Sequence, residues 1–202
     1  RLLILLLPFY LYTADNEITI QQSGDNFNLN IDQIGYSNII RRWRTWDEGI
    51  TGANTTIDVR QNKTTGSASD RNIMEIRQVN GSGDTFAHIN ITGDNNEVLM
   101  TQRTNGNSSG HWYGLHLEGD DNDIYTVQRE GGSQYINLDV YTDGNDIDLI
   151  QKMNGDHYMS VILRGTEPTD IDVTQASHQN KSYSITNYCY TTSGCAISVT
   201  QN

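Results

Sequence analysis

Asn72-Ile73-Met74-Glu75-Ile76-Arg77-Gln78 decides the fold of this chain. An Asn opens the phrase, apolar side chains fall at every second position after it, and a Gln closes it. Period-2 alternation puts Met74 and Ile76 on one face of a β-strand and Glu75 and Arg77 on the other. The phrase returns at Asn16 to Gln22, Asn96 to Gln102, Asn122 to Gln128 and Asn145 to Gln151. After Gln78 the closing positions Gln102, Gln128, Gln151, Gln175 and Gln201 follow at spacings of 24, 26, 23, 24 and 26 residues. A near-constant period of this size is the mark of a solenoid, in which no coil buries its apolar face alone and stacked coils build one core.

The remaining copies are more degenerate. In the second, Asn38 opens, Ile40 and Arg42 take the apolar slots, and Arg44 stands where Gln closes the others. The last two open on Thr169 and Cys195. Between these strands lies a second alternating segment, with central pairs Leu29/Ile31, Ile57/Val59, Ile89/Ile91, Leu115/Leu117, Leu138/Val140, Val161/Leu163 and Ile185/Asn187. Its opening slot holds residues such as Phe27, Thr55, Ala87 and Tyr113; its closing slot holds Gln33, Gln61, Gly93, Gly119, Thr142, Gly165 and Cys189. The expected architecture is all-β: a two-sheet parallel β-solenoid of strand–arch–strand coils, about seven and a half coils long, over residues 15–202.

Asn and Gln on an inward face are costly unless they are hydrogen-bonded. Like amides stacked on one another supply the partner, as in cross-β ladders. The expected ladder residues are Asn16, Gln22, Gln33, Asn38, Gln61, Asn72, Gln78, Asn96, Gln102, Asn122, Gln128, Asn145, Gln151, Gln175 and Gln201. Each asks for a like neighbour about 4.8 Å away. The outermost coils can find one only in another molecule, so Ile18, Ile20, Leu29, Ile31, Ile197 and Val199 are the expected polymerisation ends. Short joins at 93–96, 119–122 and 142–145 consist of Gly, Asp, Asn and Thr, which suit tight turns.

Composition narrows the function. With 25 acidic against 13 basic residues the net charge is −12, which opposes nucleic-acid binding. One basic cluster, Arg41-Arg42-Trp43-Arg44-Thr45-Trp46, reads as an irregular coil. No catalytic constellation emerges from the chain. His88, His111, His116, His157 and His178 are scattered and read as mostly solvent-facing or loop positions. Asp94, Asp120, Asp121, Asp123, Asp143 and Asp146 gather at the short joins; they lack the fixed spacing of a calcium loop and read as a solvated acidic ridge. No metal, cofactor or catalytic role is expected. Six N-x-[ST] sequons, beginning at Asn54, carry no assignment. Cys189 and Cys195 either close a small disulfide loop or remain thiols. Residues 1–14, one Arg before a short apolar run, read as the remnant of a secretory signal; the alternative is a hydrophobic cap on the solenoid. No membrane insertion of the mature chain is expected.

The phrase N-x-Φ-x-Φ-x-Q, followed by Gln22-Ser23-Gly24-Asp25-Asn26 and again by Gln33-Ile34-Gly35-Tyr36-Ser37-Asn38, resembles the curlin repeat of bacterial curli subunits. The likeness covers nearly all of the chain after residue 15, with the full glycine-bearing motif confined to the first coil. It implies a secreted subunit of a functional amyloid, exported through a dedicated channel with accessory factors. Polymerisation with itself, or with a related major or minor subunit, would give an extracellular fibre for biofilm and adhesion. The rival reading is a monomeric solenoid that binds carbohydrate or a cell surface through aromatic residues such as Trp112, Tyr113 and Tyr141.

Overall fold

A computed structural model describes residues 17–20, 22–23, 26, 28–34, 39–42, 50–51, 55–62, 73–80, 84–93, 95–104, 110–119, 121–141, 144–153, 155–164, 170–177, 180–187 and 196–202. Alternation along the chain becomes two facing parallel sheets. The first is built from β1 (Glu17–Ile20), β2 (Gln22–Ser23), β4 (Ile39–Arg42), β5 (Ile50–Thr51), β7 (Ile73–Asn80), β9 (Glu97–Thr104), β11 (Asp123–Arg129), β13 (Asp146–Lys152), β15 (Asp170–Ala176) and β17 (Ala196–Gln201). The second holds β3 (Asn28–Ile34), β6 (Thr55–Asn62), β8 (Thr85–Thr92), β10 (His111–Glu118), β12 (Ser133–Val140), β14 (Asp156–Leu163) and β16 (Lys181–Asn187). Chain order alternates between the sheets from β6 onward, and every pairing is parallel, which is a β-solenoid of about seven coils.

Inward side chains form ladders one residue deep per coil. Ile40, Met74, Val98, Ile124, Ile147 and Ile171 stack on the first sheet, and Ile57, Ala87, Tyr113, Ile136 and Met159 face them from the second. All of these are essentially inaccessible to water. Complete burial of an aliphatic side chain stabilises by about 1.5–3 kcal/mol, and the core repeats this at every coil.

The short joins into the first sheet turn through one left-handed residue just before the ladder Asn: Asn95 (φ 56°), Asp121 (φ 55°) and Gly144 (φ 66°). Asn, Asp and Gly tolerate this region better than other residues. The joins themselves stack, because the amide of Asp123 donates to Asn96 O, that of Asp146 to Asn122 O and that of Asp170 to Asn145 O, each at 2.9 Å.

Two expected registers are corrected. Gln22 pairs with Ile50, and Ile50 pairs with Gln78, so Ile50 rather than Arg44 holds the closing row of the second coil. Ile18 meets Ile40 and Ile20 meets Arg42 in the same sheet, so β4 and β5 both contribute to this coil's part of the first sheet. In the second sheet Ile57 pairs with Ala87, Val59 with Ile89 and Gln61 with Ile91. The closing partner of Gln61 is therefore Ile91 and not Gly93. A shift of two residues leaves every side chain on its own face, so hydrophobic alternation is blind to it.

Residues 1–16, the pair Cys189 and Cys195, and the expected ladder members Asn16, Asn38 and Asn72 lie outside the described residues, as do Trp43, Arg44, Trp46, Asp94, Asp120, Asp143 and His178.

Candidate functional site

Gln78, Gln102, Gln128, Gln151 and Gln175 are buried at the end of their strands, beside the arch that leads into the second sheet. Gln102 Nε2 donates to Gln78 Oε1 (2.8 Å), Gln128 to Gln102 (2.8 Å), Gln151 to Gln128 (3.0 Å), Gln175 to Gln151 (2.9 Å) and Gln201 to Gln175 (2.8 Å). The same amide nitrogens also reach across the core to carbonyls of the second sheet. Gln78 donates to Phe86 O, Gln102 to Trp112 O, Gln128 to Tyr135 O, Gln151 to Tyr158 O and Gln175 to Ser182 O, at 2.9–3.2 Å. Gln102, Gln128, Gln151 and Gln175 thus each tie their coil to the previous one and their sheet to the facing one.

A second ladder runs the opposite way. Asn96 Nδ2 donates forward to Asn122 Oδ1 (2.7 Å), and Asn122 Nδ2 donates to Asn145 Oδ1 (2.9 Å). The backbone amides of Asn96 and Asn122 donate to the same oxygens, and both side chains also donate back to the glycine carbonyl that opens the join, Gly93 O or Gly119 O. Glutamine amides therefore point toward earlier coils and asparagine amides toward later ones. Gln33 and Gln61 form a shorter ladder in the second sheet, with Gln61 Nε2 donating to Gln33 Oε1 at 3.0 Å.

A third polar row was not expected. Thr85, His111, Gln134 and His157 pair in register at the entrance of the second-sheet strands, and all are buried. The reading of these two histidines as solvent-facing or loop residues is corrected: each is 2% exposed. His111 Nε2 lies 2.9 Å from Glu130 O, and a carbonyl can only accept, so Nε2 carries the proton. Nδ1 is then an acceptor, and the Thr85 hydroxyl donates to it at 2.6 Å. Burial pushes both histidines below their ordinary pKa of 6.5, His111 against the pull of the Glu130 and Arg129 carbonyls and His157 with help from Lys181. Among the described residues neither imidazole nitrogen of His157 makes a hydrogen bond of good geometry, and the nearby Met153 carbonyl pulls the ring toward its protonated form. The signal in the sequence was the run of polar residues two places before Ala87, Tyr113, Ile136 and Met159.

Tyr113, expected among the surface aromatics, is fully buried, and its phenol is pushed far up by burial, with Thr126 facing it. Trp112 lies half-buried on the outer face of the second sheet and Tyr141 is exposed.

The expected polymerisation residues divide between the two ends. Ile18 and Leu29 pack partly buried against the core and Ile31 is buried. At the other end Ile197 is 37% exposed, Tyr183 is 43% exposed, and Val199 is half-buried. Among the described residues strand β17 pairs only with β15, and β16 only with β14.

Outside the core, Glu97, Asp123, Asp146 and Asp170 pair in one row of the first sheet, with Asp148 and Asp172 in the next row on the same face. The acidic ridge thus follows a sheet face. Burial raises the Asp148 pKa, and Asp146, Asp172, Asp123 and Asp170 raise it further. Among the described residues no three His, Cys, Asp or Glu side chains group to hold a metal, and no helix is long and apolar enough to cross a membrane. Comparison with protein-family models, curated proteins and solved structures gives no match.

Proposed function

We propose that the chain is a structural subunit that polymerises end to end into an extracellular curli-like amyloid fibre. The carrying observation is that its internal coil-to-coil contacts are like on like. Ile171 sits on Ile147 and under Ile197, and Gln175 donates to Gln151 and accepts from Gln201. A surface that recognises its own repeat inside one molecule is also suited to a second copy. The open side of β16 and β17, with Tyr183, Ile197 and Val199, is where that copy would dock. Parallel strands added there would continue both sheets at about 4.8 Å per coil.

Secretion, a role in biofilm matrix and adhesion, an export channel with accessory factors, and a related major or minor subunit as co-polymer belong to this proposal through the curlin resemblance. The acidic surface opposes association at low ionic strength, so salt is expected to accelerate assembly.

Incubation of the purified chain tests the reading. Unbranched fibres with a meridional spacing near 4.8 Å are expected, and Ile197→Lys with Val199→Lys is expected to stop elongation while preserving the β-rich circular dichroism of the monomer. A monodisperse species at high concentration and in salt, or normal elongation by the double variant, would overturn it.

A further inference from the structure

On the outer face of the second sheet, Phe86, Trp112, Tyr135 and Tyr158 are register partners in one column. Tyr135 and Tyr158 stack at 4.8 Å with planes 10° apart, and Trp112 lies parallel to Tyr135 at 6.3 Å. Trp112 extends along its own strand over Gly114. A Cβ at that position would sit 2.6 Å from indole Cη2, so a glycine is what lets the indole lie there. Phe86 stays 43% exposed.

A cleft of about 310 Å³ opens at Phe86 and Trp112, beside Asp84 and Gly110 at the starts of β8 and β10. Gly110 and Gly132 line it with bare backbone. Asp84 holds the rim: its Oδ1 accepts the Gly110 amide at 2.8 Å, and its second oxygen has no partner among the described residues. The Ser133 hydroxyl, also at the rim, is equally unengaged among the described residues. His111 lines the cleft with both ring nitrogens already committed to Thr85 and Glu130, so it is wall and not reagent.

We infer that this cleft is a binding site for one or two pyranose units of a neutral glycan. Aromatic surface suits the apolar C–H face of a sugar ring, while a carboxylate oxygen, a hydroxyl and open glycine backbone suit its hydroxyl groups. The volume is at the small end of ligand cavities, which run from about 300 to 1,000 Å³. Asp84 and the net charge of −12 disfavour acidic sugars. End-to-end stacking leaves this lateral face uncovered, so binding does not depend on whether the chain is monomeric or assembled.

The test uses the full chain with Trp43→Phe and Trp46→Phe, which leaves Trp112 as the sole indole. Cellohexaose, laminarihexaose, maltohexaose, mannohexaose and chitohexaose are titrated separately, with indole emission and calorimetry as readouts and tetramethylammonium as the competing cation probe. At least one hexasaccharide is expected to bind and shift the emission. Asp84→Ala is expected to weaken that binding by more than about tenfold, the worth of roughly 1.4 kcal/mol. Gly114→Ala, which displaces the indole, and Trp112→Ala, followed by calorimetry, are expected to do the same with circular dichroism unchanged. Binding of none of the five sugars, affinities within about twofold of the parent in Asp84→Ala and Trp112→Ala, or binding of tetramethylammonium in place of the sugars would overturn the assignment.

Discussion

Gln128 Nε2 donates to Gln102 Oε1 at 2.8 Å, and the same nitrogen donates across the core to Tyr135 O at 2.9 Å. Gln128 in turn accepts from Gln151. One neutral side chain therefore serves the previous coil, the next coil and the facing sheet. Because the asparagine ladder donates in the opposite direction, from Asn96 to Asn122 to Asn145, the two rows of amide dipoles oppose one another along the solenoid axis.

Gln128→Leu keeps approximate shape but leaves Tyr135 O and Gln102 Oε1 without this donor in a buried site. Unmet buried hydrogen-bonding groups cost about 1–3 kcal/mol each, so a loss of about 2–4 kcal/mol is expected in chemical denaturation. Gln201→Leu removes the same donor from an exposed position and is expected to cost less than about 1 kcal/mol. Equal losses at the two sites would show that the ladder does not act through burial.

Acid is expected to weaken the fold through His111 and His157. Both are held neutral by burial, with pKa values below 6.5, whereas the unfolded chain binds their protons near 6.5. Stability is therefore full above that value and falls as pH drops through it, down to the folded pKa values. Gln134 shows that a neutral amide fits the same row. His157→Gln is expected to flatten the melting temperature between pH 7.5 and 5.5, and an unchanged slope would contradict this.

Asp148 acts in the other direction. Its raised pKa means that the fold binds its proton more tightly than the unfolded chain does, so this residue's contribution improves as pH falls through its folded pKa. Asp148→Asn is expected to raise the melting temperature at pH 7. Part of that gain is expected to vanish in about 1 M salt, where the Debye length shrinks to about 3 Å, because neighbouring carboxylates supply part of the shift. The part due to burial is expected to survive.

Gly155→Ala tests the arch packing. A Cβ there would lie 2.5 Å from Gly132 O and 2.7 Å from Gly131 O, both backbone atoms of the coil beneath. Those atoms cannot move without disturbing the Asp156 N–H bond to Gly132 O at 2.8 Å. A loss of at least about 2 kcal/mol is expected, read by urea denaturation.

The face of each residue was legible in the chain. Met74, Val98, Ile124 and Ile147 are buried beside exposed or half-exposed Glu97, Asp123 and Asp146, as period-2 alternation requires. The two-sheet solenoid followed from the spacing of the glutamines. Register was less legible. Gln61 reads equally well opposite Gly93 or Ile91 by alternation, and hydrogen bonding along β6 and β8 selects Ile91. Counting six residues from Asn38 gives Arg44 for the closing row, whereas pairing along β2, β5 and β7 selects Ile50.

Sequence by itself set which side chains face inward and that the coils repeat, since both are properties of local period. It did not set the burial of His111 and His157, the cleft beside Trp112, or the opposed directions of the Gln and Asn ladders. An amide can donate toward either neighbouring coil with the same sequence. Only the stacked arches choose, by placing Tyr135 O beside Gln128 and Gly119 O beside Asn122.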